Sequence, residues 1–182
     1  MKSKRVRLAL MVALVAVGAA TAVAVAGGRG GFEARLTGAG EVPFVSTEGN
    51  GQFKARLNRA GDTIEWTLKY ADLSGTPTQA HIHLGQRFAN GGIVLYFCTN
   101  LAPPAGVPLP QACPAGPATI SGEWTADDVA AVTAQGIAGP ADFSEVVGAM
   151  RHGVTYANVH TQQSQAGEIR GQVRGNGRGH AR

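Results

Sequence analysis

The chain has 182 residues, 44% of them hydrophobic and 15% charged, a balance that suits a globular domain and excludes a fibre or a wholly disordered chain. Its formal charge of +4 comes from the first 26 residues, which hold four of the 16 Lys and Arg and none of the 12 Asp and Glu. The remainder is formally neutral, so the pI near 9.4 makes no case for nucleic-acid binding.

Lys2, Lys4, Arg5 and Arg7 open the chain, and an uncharged run over 8–26 follows, ending in Ala24-Val25-Ala26 before Gly27-Gly28. A basic start, an apolar middle and a small-x-small end predict a secretory signal peptide over 1–26 with export and cleavage. The apolar run is also long enough to span a membrane, so an uncleaved anchor is the competing reading. Residues 27–31 read as a Gly-rich linker and 32–173 as one domain. The Gly/Arg-rich residues 174–182 read as a disordered tail with little apolar surface to bury.

Within the domain, residues 32–36 form a first expected strand, with Phe32, Ala34 and Leu36 on one face. Residues 49–57 and 63–71 predict a hairpin whose turn contains Gly61, and Ile64, Trp66, Leu68 and Tyr70 alternate with polar residues as an antiparallel strand with one wet face requires. Further strands are expected over 79–84, 92–97 and 118–124. At Thr125 the pattern changes: Thr125-Ala126-Asp127-Asp128 has N-cap form ahead of an Ala/Val-rich segment ending near Gly136, and Asp142-Phe143-Ser144-Glu145 has capping-box form. Helices over 125–136 and 142–151 are therefore predicted, followed by strands over 154–160 and 168–173. Seven or eight short strands with a two-helix insertion predict an antiparallel Greek-key β-sandwich, immunoglobulin-like or superoxide-dismutase-like.

Cys98 and Cys113 are the chain's two cysteines, and export favours their oxidation. Closing a loop of this length contributes roughly 3 kcal/mol in the chain-entropy model. Their spacing is far from C-x-x-C, so a structural staple is expected.

Alternation along a strand places His81 and His83 on one face, opposite Ala80, Ile82 and Leu84, and places Asn158 and His160 opposite Ala157 and Val159. If the two strands are neighbours, His81, His83 and His160 form a triad suited to copper or zinc. Glu168, Arg170 and Gln172 share another polar face, where Glu168 is a candidate acceptor for a liganding imidazole and Arg170 a candidate partner for an anion or carboxylate; Asn158 joins them as a candidate to support the imidazoles or bind a ligand. The plainer alternative is a cross-strand hydrogen-bond ladder. Templates for a serine hydrolase, a zinc protease and a phosphate-cradling loop are absent from the sequence. His152 reads as a cap on the second helix.

Four segments, Ala80-His81-Ile82-His83, Gly122-Glu123-Trp124-Thr125, Asn158-Val159-His160-Thr161 and Gly167-Glu168-Ile169-Arg170-Gly171-Gln172, occur in an order that resembles the CHRD domain, the repeat module of the secreted protein chordin. The resemblance covers 32–173 and implies an extracellular, non-enzymatic binding or structural module whose partner is a protein or a cell-surface ligand. The alternative is an exported copper- or zinc-binding protein. Copper-zinc superoxide dismutase is a looser analogue, with His-x-His on a strand and a loop disulfide, but its full ligand set has no counterpart here. Acid–base chemistry by Glu168 and a histidine would require a concave pocket around them.

Overall fold

The structure, a computed structural model, describes residues 30–102 and 105–176. The expected signal peptide, residues 27–29 of the linker and residues 177–182 of the tail lie outside the described residues. Hydrophobic alternation produces the strands almost as the sequence predicts: β1 (Gly31–Thr37), β2 (Asn50–Leu57), β3 (Ile64–Ala71), β4 (Pro77–Leu84), β5 (Ile93–Thr99) and β6 (Ala118–Trp124) precede the helical segment. After it come β7 (Thr155–Thr161), β8 (Ile169–Gln172) and β9 (Arg174–Gly175). In β3 the burial pattern follows the alternation, with Ile64, Trp66, Leu68 and Tyr70 inside.

The strands pair antiparallel as one sheet, in the order β5-β4-β7-β8-β1-β2-β3-β6, with β9 added beside β1. The outermost strands approach each other: the Trp124 indole N–H on β6 donates to the Tyr96 carbonyl on β5 at 2.8 Å. The result is a nearly closed, barrel-like sheet, where the sequence reading anticipated two facing sheets. Alternation specifies which side chains go inside, but both arrangements satisfy that rule; the pairing order distinguishes them. Inside, Phe53, Trp66, Phe97 and Trp124 form an aromatic cluster, with Trp66 and Trp124 stacked at 5.1 Å and Phe97 4.9 Å from Trp124. Burying each such ring contributes on the order of 2–3 kcal/mol.

Two expectations are corrected here. Residues 125–136 are not an α-helix. Thr125 and Asp128 do close a turn, with the Thr125 N–H donating to the Asp128 carboxylate at 2.8 Å, but only the 3-10 turns Ala126–Asp128 and Thr133–Gln135 form. Tertiary partners take the backbone groups that a helix would use: the Ala130 N–H bonds to the Val94 carbonyl, and Val132 bridges to Ile137. The insertion therefore has one helix, α1 (Phe143–Arg151), whose Phe143, Val146, Val147 and Met150 are buried. His152 caps it through a 2.8 Å contact between Nδ1 and the Gly148 carbonyl. The second correction is the tail: Arg174 and Gly175 pair with Glu33 and Phe32 and extend the sheet.

Cys98 and Cys113 form the disulfide. The Asn100 side chain brackets it, donating to the Cys113 carbonyl at 2.8 Å and accepting from the Cys113 N–H at 3.0 Å. The long loop after β5 is thereby fastened to the strand that flanks the histidines.

Candidate metal centre

Strand β4 lies between β5 and β7 and is covered on both faces. Its inner face carries Ala80 and Ile82 into the core, each fully buried. Its outer face carries His81 and His83. Register sets the rest: on β7, Asn158 lies opposite His81, Tyr156 opposite His83 and His160 opposite Gln79. His160 is thus the diagonal neighbour of His81, within reach for a long side chain. On the other side of β4, Tyr96 lies opposite His81, and an irregularity in the β4–β5 pairing falls immediately before each histidine. Such bulges re-aim side chains beside functional sites.

The three imidazoles come together. One nitrogen from each lies within 4.8 Å of the other two. Although they face away from the apolar core, as alternation requires, His81 is 1% and His83 7% exposed, and His160 is half-buried. Aromatic rings supply part of the cover: Tyr156 stacks on His83 at 4.7 Å with the planes 3° apart, and Tyr96 meets His81 edge-on at 4.7 Å.

Hydrogen bonding fixes how the rings present themselves. The Nδ1 of His83 lies 2.9 Å from the Gly91 carbonyl, and the Nδ1 of His160 lies 2.9 Å from the Gln165 carbonyl. A carbonyl only accepts, so each Nδ1 carries the proton and each Nε2 offers a lone pair. Those two Nε2 atoms, together with both ring nitrogens of His81, are buried and have no hydrogen-bond partner. Burial also keeps the rings neutral: it pushes His81 down to about 2, helped by the neighbouring His160 and His83, and pushes His83 down to about 4. His160 is likewise lowered by burial, against the opposing pull of its bond to Gln165. The donors are therefore ready to bind a cation at neutral pH without first losing a proton.

The other predicted site residues occupy different roles. Glu168 is fully buried but does not orient an imidazole; that task falls to the Gly91 and Gln165 carbonyls. Its Oε1 accepts from the Thr47 hydroxyl and the Ser74 N–H, each at 2.7 Å, and its Oε2 accepts from the Thr161 hydroxyl at 2.7 Å. Burial raises its pKa, but these bonds outweigh burial and hold it below the ordinary carboxylate value. Arg170, 2% exposed, sits opposite Asn158 and donates to the Asn90 side chain at 2.9 Å and the Ala89 carbonyl at 2.8 Å. Its guanidinium lies 3.3 Å from the Tyr156 ring centroid. It thus braces the 86–90 loop, whose continuation supplies the Gly91 carbonyl to His83.

Glu41, Tyr96 and Tyr156 are neighbours that sequence reasoning did not assign to the site. Tyr96 reads as one residue of an apolar strand and becomes visible only through register. Glu41 lies in the β1–β2 connection, and burial pushes its carboxyl up to about 7 despite the opposing charge of Arg170 and a bond from the Val42 N–H.

The chain is thus an antiparallel β domain that encloses three imidazoles on the outer side of its wall. Family comparison then gives its name, because the CHRD domain model matches residues 32–173, and the chain belongs to the CHRD domain family. Neither the curated proteins nor the solved structures contain a match to it.

Proposed function

We propose that this protein is an exported, non-catalytic CHRD module that holds one copper or zinc ion on His81, His83 and His160. The observation that carries this reading is the convergence of buried ring nitrogens with no hydrogen-bond partner. Each unmet polar atom costs about 1–3 kcal/mol when buried, and an ion at their centre removes that cost at several atoms together. A hydrogen-bond ladder, the plainer alternative, would pair these nitrogens with donors or acceptors, and they have none. Export is supported by the leader-like sequence of 1–26, by the extracellular character of CHRD domains and by the Cys98–Cys113 disulfide. Because the nitrogens are enclosed, the arrangement suits holding an ion better than turning over a substrate.

Metal analysis by mass spectrometry on protein purified without a histidine tag tests this. Wild-type protein should carry, or take up, about one equivalent of copper or zinc, and the His81→Ala/His83→Ala double variant should take up none. Wild-type protein that remains metal-free after exposure to both ions would refute the proposal.

A further inference from the structure

Beside the three imidazoles lies a fourth unmet donor. Asn158 is 2% exposed, sits directly opposite His81 on β7 and has a buried Oδ1 with no hydrogen-bond partner. Its side chain also acts on the His83 ring. His83 has given its Nδ1 proton to the Gly91 carbonyl, so its Nε2 is an acceptor, and so is Oδ1: while the ring is neutral, the Asn158 side chain and the ring it faces lack the proton that a hydrogen bond between them needs. Two acceptors turned toward the same space, with no donor between them, are what a cation requires.

The other end of the amide lies beside Gly167 and Glu41. A Cβ built on Gly167 would lie 2.6 Å from Oε1 of Glu41 and 2.9 Å from Nδ2 of Asn158, so both atoms crowd the same point beside the glycine. Only a residue without a side chain leaves them that space, and Gly167 also has a φ of +125°, which L side chains rarely adopt. With Nδ2 on the Glu41 side, Oδ1 is directed toward the histidines. Glu41, whose Oε1 likewise has no hydrogen-bond partner, brings a carboxyl beside the amide that would offset the charge of an ion.

Building on the metal-binding reading above, we propose that the Asn158 carbonyl oxygen is the fourth donor, completing a closed set of three imidazole nitrogens and one amide oxygen that suits zinc better than monovalent copper. Four neutral donors with nitrogen and oxygen atoms suit tetrahedral zinc, whereas monovalent copper favours softer partners than an amide oxygen.

Zinc affinity by competition with a chromophoric chelator, together with the visible spectrum of the cobalt(II) form, tests the assignment. Wild-type protein should bind one equivalent of each ion and show the intense bands of four-coordinate cobalt. Asn158→Leu, which keeps the volume and removes the donor, should weaken zinc binding roughly 10–100-fold and alter the cobalt bands. Asn158→Asp, which keeps the oxygen, should bind zinc at least as tightly as wild type; near-UV circular dichroism of both metal-free variants confirms that they fold. An unchanged affinity and spectrum in Asn158→Leu, or loss of zinc from folded Asn158→Asp, would overturn the fourth-donor assignment and leave the three-histidine reading intact. Wild-type protein that binds neither ion would overturn both.

Discussion

Replacing Glu168 by alanine should destabilise the protein by about 2–4 kcal/mol, because it strips the acceptor from one buried and two part-buried donors, and an unmet buried donor costs about 1–3 kcal/mol. The carboxylate is a knot at one end of the sheet. It gathers Thr47 from the β1–β2 connection, the Ser74 N–H from the β3–β4 turn and Thr161 from the end of β7. Alanine would leave three donors without that acceptor, one of them, the Thr161 hydroxyl, fully buried. Glu168→Gln should cost less, about 1–2 kcal/mol, because one amide oxygen still serves Thr47 and Ser74 while the Thr161 hydroxyl can rotate to accept from the amide. Denaturant unfolding followed by tryptophan fluorescence measures both. Equal losses for the two variants, or a loss below 1 kcal/mol for Glu168→Ala, would show that the knot does not hold the three segments together.

Acid should unfold the metal-free protein early. The folded-state values of about 2 for His81 and about 4 for His83 lie below the ordinary histidine value of 6.5, so the unfolded chain takes up protons first as the pH falls. Stability is therefore intact above pH 6.5 and is lost progressively below it, by roughly 3 kcal/mol at pH 4 from His81 alone. Glu168, depressed in the folded state, adds a loss below about pH 4.5. Glu41 has the opposite sign: its folded value of about 7 exceeds the ordinary 4.5, so its contribution is full below 4.5 and disappears as the pH rises through 7. One carboxyl offsets only part of the loss from the buried imidazoles. Unfolding midpoints measured from pH 8 to pH 4 should fall steadily below 6.5, and a flat profile down to pH 4.5 would contradict the burial of neutral histidines.

Strand positions were legible because period-two alternation is a local property. Phe32, Ala34 and Leu36, or Ile64, Trp66 and Leu68, declare their inner face without knowledge of any partner. Order and closure were not legible, since nothing local to β5 or β6 records that the Trp124 indole will reach the Tyr96 carbonyl. The segment 125–136 misled for a related reason: its N-cap chemistry is real, yet Val129 is buried and Ala130 is committed to β5. At the site, the triad followed from alternation plus the adjacency of two strands. Burial of that polar face did not follow, because its cover comes from the 86–92 loop and the 162–167 turn, whose backbone carbonyls carry no sequence signature. Glu168 was singled out by its pattern and assigned the wrong neighbours, which alternation alone does not identify.

Long-range proton–nitrogen NMR of the imidazole rings during zinc titration tests the central claim most directly. Before metal is added, His83 and His160 should show the Nδ1–H form, as their carbonyl partners dictate. At one equivalent, Nε2 of both rings and one nitrogen of His81 should shift together, with His152 unchanged. If the three rings do not move, or if shifts appear at His152 and not at the triad, the enclosed histidines are not a metal centre.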